Sequence, residues 1–167
     1  SICRRSKKNN VAPESFDGIG VFGAPAEWLS YEAYFGAGLD QSEFSGDEGV
    51  RDGRMKGRPG LNDAAVIGRV DFYPLVNVDP TIEQDLRIGI SGVYAGTENM
   101  NKGGSHPGSV ENTFSMVSAD FEYDISRVEF CGVVALGANS DADDLNAVYG
   151  NDVGDEIFGW YVEMGVR

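Results

Sequence analysis

Between Leu29 and Leu39 the chain reads Leu-Ser-Tyr-Glu-Ala-Tyr-Phe-Gly-Ala-Gly-Leu. Leu29, Tyr31, Ala33, Phe35, Ala37 and Leu39 share one parity, and Ser30, Glu32, Tyr34, Gly36 and Gly38 share the other. A period of two puts these sets on opposite faces of a β-strand, and no helix keeps it. The alternation recurs and predicts seven strands: Gly18–Ala24, Leu29–Leu39, Ala64–Tyr73, Leu86–Gly96, Thr113–Tyr123, Arg127–Leu136 and Ile157–Arg167. The expected fold is all-β, an antiparallel up-and-down β-barrel of which about seven strands are visible, forming a single partial domain over residues 1–167 with 1–14 as an irregular N-terminal segment.

The connections alternate in length. Pro25–Trp28 and Asp124–Ser126 are short and Pro74–Asp85 is moderate, whereas Asp40–Asp63, Thr97–Asn112 and Gly137–Glu156 are long. If successive strands run antiparallel, every long connection falls at one end of the sheet. Outer-membrane β-barrels sort their loops in this way, with short periplasmic turns and longer extracellular loops.

The faces divide by polarity. Ala64, Val66, Gly68, Val70 and Phe72, with Leu86, Ile88, Ile90, Gly92 and Tyr94, and with Phe158, Trp160, Val162, Met164 and Val166, form charge-free sets. Similar sets run through Val117–Tyr123 and Val128–Leu136. The opposite parity carries Glu32, Arg69, Asp71, Arg87, Asp120, Glu122, Arg127, Glu129, Glu163 and Arg167, the candidate lumen-lining residues of a barrel. Periodicity does not say which face meets water. A transmembrane barrel with its apolar face outward and a soluble or surface barrel binding a small ligand inside, apolar face inward, both fit the alternation. Aromatic placement favours the membrane: Trp28, Tyr31, Phe72, Tyr73, Phe121 and Tyr123 flank the shorter connections, and Phe158 and Trp160 lie towards the opposite end, as girdles at two lipid interfaces would.

Composition narrows the function further. With a net charge of −14 the chain is not expected to bind nucleic acid, which requires clustered Lys and Arg. The basic cluster Arg4, Arg5, Lys7 and Lys8 is followed by no apolar run, so it is not a signal peptide and reads as a solvated end or loop. No apolar run approaches the length of a transmembrane helix, which leaves a barrel open, because barrel strands need only about 9–11 alternating residues. The two cysteines, Cys3 and Cys131, lack metal-ligand spacing and are expected to be isolated thiols, and the single His106 sits in a Gly/Pro-rich loop.

No catalytic constellation can be assembled, and no cofactor is implied. Asp120 and Glu122 share a strand face but read as a hydrated wall rather than an acid/base pair. Asp141, Asp143 and Asp144, with Asp152, Asp155 and Glu156, form acidic loops that lack EF-hand spacing, so a metal site is not expected. Arg51, Arg54, Lys56 and Arg58 concentrate positive charge in one long loop. Folded inward, that loop would act as a constriction; against Asp47, Glu48 and Asp52 it would be a salt-paired surface loop.

The stretches 29–40, 49–57 and 65–74, with Gly18–Gly23 before and Gly159–Gly165 after, resemble the middle of porin-type bacterial outer-membrane proteins similar to phosphate-selective porins. The likeness covers most of Glu14 to Arg167. It implies a larger, even-stranded channel in the outer membrane of a Gram-negative bacterium, often a homotrimer, passing ions or small hydrophilic solutes by passive diffusion. A non-conducting structural barrel acting through its loops is a further alternative. Seven strands would then be a fragment, with a signal peptide upstream and further strands downstream. Phosphate does not suit the wall, where four arginines face six carboxylates; the acidic excess favours cations or uncharged solutes. Neutralising Glu32, Glu129 and Glu163 together is expected to lower cation preference and leave stability nearly unchanged.

Overall fold

Antiparallel pairing links each long strand to its neighbours in the sequence. The computed structural model describes residues 18–45, 64–76, 84–98, 110–150 and 152–166. They form one sheet of eight strands: β1 (Gly18–Ala26), β2 (Leu29–Ala37), β3 (Leu39–Asp40), β4 (Ala64–Phe72), β5 (Gln84–Glu98), β6 (Asn112–Ile125), β7 (Val128–Asn139) and β8 (Glu156–Val166). The spatial order is β1-β2-β4-β5-β6-β7-β8, with β3 pairing alongside β5. All seven expected strands are present, several extended by one to three residues. Two features were not expected: the two-residue β3 and a helix, α1 (Ala142–Tyr149), within a stretch read as a long connection. Among the described residues the sheet is open, with β1 and β8 as its edges.

Turn chemistry sets the ends. β6 and β7 are joined by Ser126 and Arg127 between the paired residues Ile125 and Val128. Ser126 has φ 54°, and a positive φ at the first central residue suits the twist of a tight hairpin. At the edge, β1 shifts register between Gly23 and Ala26, at Pro25. Proline has no N–H for a ladder, so an edge strand with a bulge is where a sheet accommodates it. The turns at Glu27–Trp28 and Ser126–Arg127 lie at the end of the sheet where β4 ends and β5 begins; β2, β5 and β7 end, and β4, β6 and β8 begin, at the other.

At that second end the chain turns back over one face. β3 runs parallel to the end of β5, with Leu39 opposite Thr97. A 3-10 turn, Gln41–Glu43, follows, capped by the Asp40 carboxylate, which accepts from the Ser42 N–H at 3.1 Å. The buried Gln41 amide donates to the carbonyls of Thr97 (3.1 Å) and Val110 (3.0 Å) and accepts from the Val110 N–H (3.2 Å). These bonds give irregular backbone the partners it loses on leaving the ladder.

α1 closes the same end. Asp143 and Asp144 occupy its first turn, where negative charge suits the helix dipole. Gly150, at φ 69°, ends it in the left-handed conformation that glycine adopts without strain. The Asn146 side chain then bonds Val153 through both its N–H and its carbonyl, fixing the return towards β8. Leu145 packs with Leu39, Phe44, Ala65, Ala95, Phe114 and Val153 into a small apolar core. This cap is the chief apolar core of the described residues, and it covers only one end of one face.

Candidate functional site

Directly paired residues on neighbouring strands share a face, so the register reads out the wall row by row. Nearest the cap lie Gly36, Ala65, Ala95, Phe114 and Asn139. Four residues further down, measured on β4, comes a row of Glu32, Arg69, Ser91, Ser118 and Ala135. Next is Asp71, Gly89, Asp120 and Val133, then Arg87, Glu122, Cys131 and Glu163. This face therefore grades from apolar under the cap to charged towards the short turns.

In the charged rows, two arginines and three carboxylates from three strands form one network. Arg69 on β4 holds Asp71 through Nη2 (2.6 Å) and Nε (3.0 Å), and holds Asp120 on β6 through Nη1 (2.8 Å) and Nη2 (3.0 Å). Arg87 on β5 donates from Nη1 to Asp71 (2.8 Å) and Asp120 (2.7 Å), and its Nη2 lies 3.4 Å from Glu122. Planar guanidinium forks suit such two-oxygen contacts. The side chains of Arg69 and Asp120 are 22% and 16% exposed, so the network is screened less than surface pairs and still touches solvent.

Gly89 makes the crossing possible. It sits between Asp71 and Asp120 in the register, and a Cβ there would strike the Arg69 guanidinium and lie 2.8 Å from an Asp120 oxygen. Beside the network, the Ser91 and Ser118 hydroxyls meet at 2.7 Å, and Tyr34 donates to Glu32 at 2.9 Å.

The opposite face is bare. Ile90 is 58% exposed and Trp160 67%, and Val66, Val70, Val117, Leu136, Phe158 and Val162 stand out beside them. This face presents the charge-free sets expected from the alternation. The rings of Trp28 and Phe72 meet edge to face at 5.8 Å near one short turn, and Tyr123 stacks on Phe130 at 6.5 Å near another. Trp160 pairs with Val134 in mid-strand, so it does not mark the far rim; Phe35 and Tyr94 lie nearer that end.

Of the candidate wall residues, Glu32, Arg69, Asp71, Arg87, Asp120, Glu122, Glu129 and Glu163 share the cap-bearing face. Arg127 does not: it belongs to the exposed tip of the β6–β7 turn, because the strand begins one residue later than its alternation suggests. Arg167 and the constriction candidates Arg51, Arg54, Lys56 and Arg58 lie outside the described residues. Glu129 differs from its neighbours in being only 1% exposed. Cys131 is held in a disulfide, which corrects the expectation of isolated thiols. Spacing gave no sign of it, since sequence distance does not report proximity across a sheet.

Chemically, the site is a rigid charged surface. The oxygens of Asp120 are engaged by two guanidiniums, which leaves it poorly placed to act as a base. Among the described residues no group of three His, Cys, Asp or Glu is placed to hold a metal ion, and no helix is long and apolar enough to cross a membrane, which says nothing of strands. No family model matches this sequence, and no curated protein or solved structure matches it either.

Proposed function

We propose that this chain forms part of an outer-membrane, porin-like β-barrel that passes small hydrophilic solutes or ions by passive diffusion. The observation that carries the reading is an inversion: the chain folds its own cap over the face bearing the charges and leaves the apolar face bare. A sheet facing water on one side does the reverse, since burying apolar area contributes about 25 cal/mol per Å². Lipid removes that conflict. The open face also has a suitable height, because Val128 to Ala138 on β7 spans roughly 33 Å of strand, or about 25 Å at the tilt of about 40° typical of membrane barrels.

The charged rows then line a water-filled path. With two arginines against three carboxylates in the network, and Glu32 and Glu163 flanking it, the wall favours cations or neutral solutes over phosphate. The cap narrows the same path at the long-connection end. Homotrimeric assembly belongs to the same reading, by resemblance alone.

The test is reconstitution of the full-length protein in planar bilayers, with stepwise cation-favouring currents as the expected result. Properly inserted protein that passes no current would remove the channel and leave a structural barrel. Recovery from cells in the soluble fraction without detergent would favour the ligand-binding barrel instead.

A further inference from the structure

One large aromatic ring stands on the charged face with nothing packed over it. On β1 the residues of that face are Gly18, Gly20 and Phe22, paired with Gly36, Tyr34 and Glu32, and Glu32 in turn pairs with Arg69. Phe22 is 82% exposed, more than any other large apolar side chain among the described residues. A ring so open to water contributes little to folding, because the burial that would stabilise it is missing. A strand added at the β1 edge would pair in the plane of the sheet and leave the ring standing on the face.

Its neighbours complete a site. Tyr34 leans across Gly20, where a Cβ would collide with its ring, so a second aromatic lies diagonally beside Phe22. The Tyr34 hydroxyl donates to Glu32 Oε2 at 2.9 Å, which orients the carboxylate and leaves its other oxygen facing solvent. Arg69 lies opposite Glu32 in the register, yet its guanidinium is turned to Asp71 and Asp120. Those two carboxylates each meet two guanidiniums, whereas Glu32 is paired with no cation of the described residues.

We propose that Phe22, Tyr34 and Glu32 form a binding step for small organic cations of the alkylammonium class. The negative faces of the two rings attract such a cation while its methyl or methylene groups rest on them, and the carboxylate supplies the countercharge. The reach fits: directly paired side chains have Cβ atoms about 5 Å apart, so a cation within about 6 Å of the Phe22 ring centre also lies beside Glu32. A sodium ion, which holds its water tightly, gains only the carboxylate. The site names one class among the cations that the wall favours. It rests on the channel reading for the solute's route and not for the binding itself.

The test is a titration of the full chain, folded in a neutral detergent, with tetramethylammonium chloride, followed by backbone amide shifts. Saturable shifts should gather at residues 21–23 and 31–34, and sodium chloride at equal ionic strength should not reproduce them. Phe22→Leu keeps the apolar bulk and loses the ring face; it should weaken tetramethylammonium binding about two- to fivefold, the scale of an exposed cation–π contact. Glu32→Gln should weaken it as well, and tert-butanol, of similar shape and no charge, should not saturate the same residues. Unchanged affinity in Phe22→Leu, equal binding of tert-butanol, or no saturable shifts at these residues would overturn the site. No current enters the measurement, so a conducting protein without these shifts loses the site and keeps the channel, and a binding protein that passes no current keeps the site and loses the route.

Discussion

Arg69 reaches Asp120, two strands away, by laying its guanidinium across the backbone of Gly89 on the strand between. The network therefore depends on a missing side chain as much as on its charges. Gly89→Ala should displace Arg69 and cost roughly 1–3 kcal/mol, the range for leaving half-buried charged groups poorly paired. Gly68→Ala, on the neighbouring strand, is the control: a Cβ there meets nothing within 4 Å, and the change should be neutral or slightly stabilising. Urea titrations of the refolded protein, compared at constant m, would separate the two.

Neutralising Glu32, Glu129 and Glu163 should not act as one operation. Glu32 and Glu163 keep partial contact with solvent, whereas Glu129 is buried. Glu32→Gln with Glu163→Gln is expected to lower cation preference in reversal-potential measurements with stability changed by less than about 1 kcal/mol. Glu129→Gln alone should cost more, roughly 1–3 kcal/mol, because it alters a buried polar contact. Equal stability losses in both variants would contradict the difference in burial.

A charge on the bare face discriminates lipid from water. Ile90→Arg lies in mid-strand on β5, and at the bilayer midplane it should cost about 2–4 kcal/mol when folding is measured into lipid vesicles. An exposed position in a water-facing sheet would change by about 0.5 kcal/mol or less. A value in the lower range would count against lipid on this face.

Leu145 fastens α1 to the cap core and is fully buried. Leu145→Ala should loosen the helix at a cost of about 2–5 kcal/mol locally and speed proteolysis of the β7–β8 connection. If the cap narrows a channel, conductance steps should also become larger or noisier. Unchanged proteolysis would show that the helix is held by other contacts, chiefly the Asn146–Val153 bonds.

What could be read from the sequence was what repeats with period two. The strands and the two faces follow from alternation, because each charged residue such as Arg69 fixes the parity of its neighbours along the strand. Features built by single long-range contacts were not legible. α1 has only eight residues, too few for a helical period to emerge, and β3 is specified by pairing with β5. The role of Gly89 appears only when Arg69 and Asp120 are seen on either side of it. Arg127 shows the opposite hazard: its parity matches Glu129, but a two-residue turn takes it out of the strand. Alternation also could not rank the two faces by exposure, which the position of the cap does.

The meander also constrains the order of assembly. Every long strand pairs with partners adjacent in sequence, so hairpins such as β6–β7, closed by two residues, can form on the microsecond timescale with little loop-closure entropy. The parallel contact of Leu39 with Thr97 joins residues fifty-eight positions apart and can form only after β4 and β5 are in place. Folding should thus run from hairpins to sheet to cap. A chain arrested before the last step would hold a complete ladder through β4–β8 with Gln41 unbonded and the wall accessible from the capped end. Pulsed hydrogen exchange during refolding would register this as late protection at Val110, with early protection across β6 and β7.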